Sequence, residues 1–216
     1  MTKQDNIKVA LLLGHISALR DHTTSEHNVR VAYMSCLFGE RLNLDKSTLQ
    51  ALMKGAFLHD VGKVGIPDAI LLKNGKLNSD EWEIMKTHTT LGFELIQDIE
   101  WFNDAKDTVL HHHEKFDGSG YPDGLKGDKI PLHVRMFSII DVFDALINER
   151  PYKKALCLER TKNILKEQAN SSFDPDLIEE FLVIADNLYN IVKNNTYDEL
   201  KKKLVDKRKQ VFGSNT

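Results

Sequence analysis

Apolar residues recur every three or four positions along almost the whole chain, and the alternating pattern of half-buried strands is almost absent. The spacing predicts helices over 6–20, 25–42, 46–60, 79–97, 101–114, 132–148, 159–169 and 175–211, the last of them broken. "NSDE" at 78–81 reads as a capping box, with Asn78 as cap and Glu81 three residues on. In "FDPDL", at 173–177, Pro175 takes the first helical position behind the cap Asp174. Glycines and prolines gather in 61–77 and 115–131, which are expected to be loops. The expected fold is therefore all-α. It is a single-domain helical bundle over 1–216, with its core at about 15–183 and a C-terminal helical extension at about 184–212.

Several of the apolar stripes end in residues for which a core has no use. Phe102, Ala105 and Val109 lead to His112 and His113, three and four residues on. His111 lies two residues from Val109 and points to the other side, as a surface or supporting histidine. Leu49, Leu52 and Ala56 lead to His59 and Asp60, with Lys63 a turn later in "LHDVGK". Ile84 and Met85 lead to His88, and Leu91 and Leu95 continue that stripe. His27 shares a face with Val31, Met34 and Phe38, and Val134 and Phe137 lead to Asp141 and Asp144. One histidine on an apolar stripe is usually a hydrogen-bonded core residue. Five helices that each send His or Asp inward point to a shared partner, because buried imidazoles and carboxylates are costly alone. Metal cations fit that part. The donors are nitrogen and oxygen without thiolate, which disfavours a structural zinc site and suits catalytic Mn, Fe, Ni or Zn. Asp60 directly follows a ligand-type histidine and can bridge two ions, an arrangement suited to phosphoester hydrolysis.

Composition narrows the setting. With 216 residues, 41% hydrophobic and 28% charged, the chain suits one ordinary globular domain and excludes a disordered one. A net charge of −3 and a pI near 6.3 give no sign of a nucleic-acid-binding face. The Lys-rich "KKKLVDKRK" near the C-terminus reads as a solvated helix face. Two cysteines, Cys36 and Cys157, argue against a disulfide framework and for a reducing compartment. "VALLLGHISAL" is too short to span a membrane and lacks the flanks of a signal peptide, so a cytoplasmic location is expected, without membrane or nucleic-acid partners.

The "LHD" stretch and its flanking helices resemble the HD superfamily of metal-dependent phosphohydrolases. "HDVGKVGIPDAIL" at 59–71, "HHEKFDGSGYPDGLKGDKIP" at 112–131 and "DVFDALINERPYKKA" at 141–155 resemble its HD-GYP subfamily. The likeness covers roughly residues 15–183. It implies a bacterial all-α domain, with a GYP loop between helices, that hydrolyses cyclic di-GMP to linear pGpG as an output enzyme of second-messenger signalling. It implies that His27, His59, Asp60, His88, His112, His113 and Asp141 are metal ligands. It also implies that Asp60 and Lys63 act in catalysis, and that Lys63, Arg150 and Lys153 hold the substrate phosphates. Tyr121, in "GSGYP", either offers an aromatic face to a guanine or belongs to a loop that only covers the last histidines. Gly118 and Gly120 there allow turns closed to other residues, and Pro122 stiffens the exit. GGDEF-domain proteins enter as partners by the same likeness, and a homodimer is left open.

Competing readings are a phosphodiesterase for another cyclic dinucleotide such as cyclic GMP-AMP, a catalytically weak receptor, and a general HD nucleotidase. The last leaves 115–131 unexplained. Some HD-GYP members hold a third metal through a glutamate one turn before the first ligand histidine. Thr23 stands there in this chain, and a hydroxyl cannot offset a divalent charge as a carboxylate would. Glu26 is rotated away from His27, while His22 and Asp21 stay open as substitutes. The expectation is a dinuclear site of divalent transition metals, Fe or Mn first and Ni or Zn as alternatives.

Overall fold

Helix α1 (His22–Arg41) crosses α2 (Lys46–Leu58) after a turn in which Asn43 takes a positive φ and Asp45 caps α2 through the Thr48 amide. These helices open a computed structural model that describes residues 9, 12–14, 22–149 and 154–213, with side chains in α1 from Ser25 onward. The chain continues as a 3-10 turn (Val61–Gly65), α3 (Asp68–Leu71), α4 (Ser79–Lys86), α5 (His88–Ile96) and a second 3-10 turn (Glu100–Phe102). It ends as α6 (Lys106–His111), a third 3-10 turn (Gly127–Lys129), α7 (Leu132–Ile147), α8 (Leu158–Glu167), α9 (Pro175–Asn194) and α10 (Tyr197–Phe212). Among the described residues the pattern is all-α, apart from one isolated bridge between Ala169 and Phe173.

The core forms where the stripes meet. Val31, Met34 and Phe38 of α1 join Leu52 and Ala56 of α2, Phe137, Ile140 and Phe143 of α7 and Phe181 of α9 in one cluster. Phe38, Phe137, Phe143 and Phe181 are fully buried, and each such side chain stabilises the fold by about 1.5–3 kcal/mol. Helix α10 adds Leu200, Leu204, Val211 and Phe212 to the same cluster. A smaller cluster of Leu58, Val61, Ile96, Phe102 and Val109 lies beneath the first 3-10 turn. Among the described residues no helix is long and apolar enough to cross a membrane.

Both helix starts read from sequence are present. Asn78 and Glu81 form a complete capping box, and Asp174 accepts from the Asp176 and Leu177 amides with Pro175 in the first turn. The break in 175–211 falls at a second capping box, Thr196 with Glu199, which starts α10. Three expectations need correction. The stretch 79–97 is two helices parted at Thr87, and 101–114 is a 3-10 turn followed by the short α6. The two expected loops are not all loop, since 61–77 holds a 3-10 turn and α3, and 115–131 holds the third 3-10 turn. Of the helix expected over 6–20, Val9 and Leu12–Gly14 are helical and the rest lies outside the described residues.

Candidate metal centre

His27, His59, Asp60, His88 and His112 are all buried and come together from α1, the end of α2 and the starts of α5 and the turn after α6. Their side chains form two groups. His27, His59 and Asp60 hold ligand atoms within 4.8 Å of one another, and so do His88, His112 and His113. Asp60 stands between the groups. Its Oδ2 lies 3.1 Å from His59 Nε2, and its Oδ1 lies 3.6 Å from His88 Nε2. Asp141 of α7 closes the first group, with Oδ1 3.2 Å from His27 Nε2.

Four of the imidazoles are held by the same device, which uses Nδ1 for anchoring and leaves Nε2 facing inward. His27 Nδ1 meets Asp144 Oδ2 at 2.8 Å, His59 Nδ1 the Ala56 carbonyl at 2.9 Å, and His88 Nδ1 the Met85 carbonyl at 2.8 Å. His112 Nδ1 lies 3.1 Å from the carbonyls of Thr108 and Val109. The inward atoms then crowd: His27 and His59 Nε2 are 3.3 Å apart, and His88 and His112 Nε2 are 3.2 Å apart. In His59, His88 and His112 an Nδ1–H donated outward to a carbonyl leaves the lone pair on Nε2, as metal-binding histidines require.

Electrostatics divide the two groups. Burial, helped by neighbouring histidines, lowers His112 well below the ordinary value and His113 to about 4, and burial also lowers His88. These three are neutral donors at neutral pH. Burial also works against charge on His27, yet hydrogen bonds to Asp141 and Asp144 push it up to about 9. Asp60 is held well below the usual carboxylate range by His59 and Lys63, although burial opposes this. Asp141 is held low by His27 in the same way. The carboxylates thus make this side a place for positive charge. With inward nitrogens and ionised carboxylates in two compact groups, the residues present fit a pair of divalent cations.

Close approach of the backbone sets the spacing. A Cβ on Gly62 would lie 1.9 Å from the His88 carbonyl oxygen and 2.4 Å from the Gly92 amide, so only glycine lets α5 rest on the turn after Asp60. This contact buries His88, and it corrects the stripe assigned to that residue. Ile84 and Leu95 are exposed, while His88, Thr89, Gly92 and Ile96 form the buried face. The stripes leading to His27, His59, His112 and Asp141 are buried as the periodicity requires. His111 is turned aside and meets Asp123 at 2.9 Å, and exposed Glu26 pairs with Arg30.

Lys63 Nζ lies 2.7 Å from Asp60 Oδ2. Tyr121 packs on His113 in a tilted arrangement, with ring centroids 4.8 Å apart and planes at 30°, and meets Trp82 edge-on at 6.3 Å. Gly118 has a φ of 86°, as a tight turn requires. Gly120 serves differently: its φ is not positive, but a Cβ there would fall 2.6 Å from the His113 carbonyl. Arg150 and Lys153 lie outside the described residues, as do the side chains of Asp21, His22 and Thr23.

Sequence reading missed several supports. Arg30 grips Asp144 with two nitrogens, at 2.7 and 2.9 Å, and thereby steadies His27. The Asp144 carboxylate is engaged by Arg30, His27 and Asn148 together. Glu114, 4% exposed, accepts from the Asp123 and Leu125 amides and pins the loop that carries Tyr121. The signals were faint: an arginine three residues from His27, and an acid directly after the histidines.

Residues 12–177 match the family model described as HD domain. A probable cyclic di-GMP phosphodiesterase of Vibrio cholerae is 39% identical, over 88% of this chain and 47% of its own length. A 3'3'-cGAMP-specific phosphodiesterase of the same organism is 42% identical, over 79% of this chain and 33% of its own. The chain spans about half the length, or less, of the curated relatives it matches. Among solved structures, the HDG"Y"P protein Bd1817 of Bdellovibrio bacteriovorus shares the fold, with a TM-score of 0.61 at 22% identity, over 79% of this chain and 54% of that one.

Proposed function

This chain belongs to the HD domain family, and we propose that it is a metal-dependent phosphodiesterase that opens cyclic di-GMP to linear pGpG. One observation carries the proposal: a buried carboxylate, Asp60, faces a separate group of inward histidine nitrogens with each of its oxygens. In this reading His27, His59, Asp60 and Asp141 would hold one ion and His88, His112 and His113 another, with Asp60 placed between the two groups. Iron or manganese suits these donors, with nickel or zinc as alternatives. The bound ions would supply an activated water and neutralise charge on the phosphoryl group.

The remaining work falls to the chain itself. Lys63 holds Asp60 in its ionised form and lies close enough to share its charge with a phosphoryl oxygen. Arg150 and Lys153 would clamp the phosphates from the far side, which favours the planar guanidinium. Tyr121 lends one face to His113, so a guanine would meet its edge or its other face beside Trp82.

The likeness to relatives of both names leaves cyclic GMP-AMP as the second reading. Metal-loaded protein incubated with each dinucleotide in parallel, followed by chromatography of products, separates them. Faster conversion of cyclic di-GMP, lost with the metal in Asp60→Ala, is expected. Faster conversion of cyclic GMP-AMP would replace the substrate, and no conversion of either by metal-replete protein would favour a receptor.

A further inference from the structure

A described cavity lies away from the metal centre, on the other side of α1. It encloses about 300 Å³, at the lower edge of the size of small-molecule sites. Its walls are Val29 and Ala32 of α1, Met53 and Phe57 of α2, Trp101, and Phe212 of α10. Ser25 and Tyr197 join α1 to α10 across it through a 3.1 Å hydrogen bond. An apolar hollow alone would say little about its occupant. This one also carries polar groups left without partners.

Asn28 lines the cavity, is 3% exposed, and has no hydrogen bond to its Oδ1. Arg208 lines it from α10, and its buried Nε is also without a partner. Buried polar groups are nearly always satisfied, so the Arg208 Nε–H on this apolar cavity calls for an acceptor on a ligand. Of the cations on the wall, Lys54 is already engaged by Asp104 and by the Trp101 carbonyl at 2.8 Å. Lys201 lies over the Tyr197 ring, 5.8 Å from its centre. Arg208 and exposed Lys201 stand two turns apart on α10, flanking Leu204 and Val205. The result is an apolar, partly aromatic chamber with positive charge on one wall.

We propose that this cavity binds an amphipathic monocarboxylate, with its apolar body among Val29, Ala32, Met53 and Phe57 and its carboxylate on Arg208. The guanidinium offers its unpartnered Nε–H to a carboxylate oxygen, while Asn28 Oδ1, itself an acceptor, is kept apart from the carboxylate. The site is distinct from the metal centre, but both stand on α1: His27 faces one and Asn28 the other. It stands whether or not the chain hydrolyses cyclic dinucleotides.

Trp101 is a built-in reporter, because the chain has two tryptophans and Trp82→Phe leaves Trp101 alone. Titration of that full-length variant with dodecanoate should give a saturable change in Trp101 emission. Arg208→Ala should weaken binding tenfold or more, and dodecanol should bind at least tenfold more weakly than dodecanoate. Val205→Phe, at a half-buried wall position, should abolish the change while circular dichroism stays that of the parent. No saturable change, equal affinity for dodecanol, or indifference to both substitutions would overturn the proposal. So would binding that appears only after removal of residues 1–11, which would give the cavity to the chain's own beginning.

Discussion

Asp144 Oδ2 lies 2.8 Å from His27 Nδ1, which turns the other ring nitrogen of His27 toward His59 and Asp141. A carboxylate behind a ligand histidine fixes its ring and raises its basicity, and its loss typically costs about 10–100-fold in metal affinity. Asp144→Asn should show a loss of that size when the protein competes with a chelator for manganese. Asp144→Ala should in addition lower unfolding stability by about 3–5 kcal/mol in urea, since Arg30 would keep a largely buried charge with only the exposed Glu26 beside it.

Gly62 governs the other group. Any side chain there meets the backbone of His88 and Gly92, which cannot yield as a flexible side chain could. Gly62→Ala should push α5 outward, at a cost of about 1–3 kcal/mol in urea unfolding. It should lower metal retention on the His88, His112 and His113 side. Unchanged stability and unchanged metal content would show that the turn adapts.

Glu114 is the clamp of the Tyr121 loop. Glu114→Ala frees the Asp123 and Leu125 amides, each worth about 1–3 kcal/mol if left buried without a partner. Limited proteolysis should then cut within 117–125 faster than in the parent, and KM for the dinucleotide should rise. Equal cleavage rates would mean that the loop is held by its glycine contacts alone.

Arg150 is assigned by likeness to the family motif. Arg150→Ala should raise KM more than it lowers kcat, the signature of lost substrate binding. An unchanged KM in steady-state assays would remove it from the phosphate clamp.

How far the sequence carried can be seen residue by residue. Periodicity singles out His112 and His113 over His111 from the stripe of Phe102, Ala105 and Val109, and His112 keeps helical backbone angles although α6 ends at His111. It failed at His88, where the helix breaks at Thr87 and burial comes from a backbone contact through Gly62. Such a contact joins segments distant in sequence and leaves no period. The same limit hid Arg30 and Asp144, 114 residues apart, whose pairing depends on how α1 crosses α7. Capping boxes at Asn78 and Thr196 are local and fully written in the chain, although the second was read only as a break.

The paired centre itself is tested most directly by anomalous X-ray scattering from crystals of protein purified without chelator. Two peaks, ~3.5–4 Å apart, are expected. One should lie among His27, His59, Asp60 and Asp141, and the other among His88, His112 and His113, with Asp60 touching both. A third ordered peak near Thr23, or a single peak that leaves either histidine group empty, would contradict it.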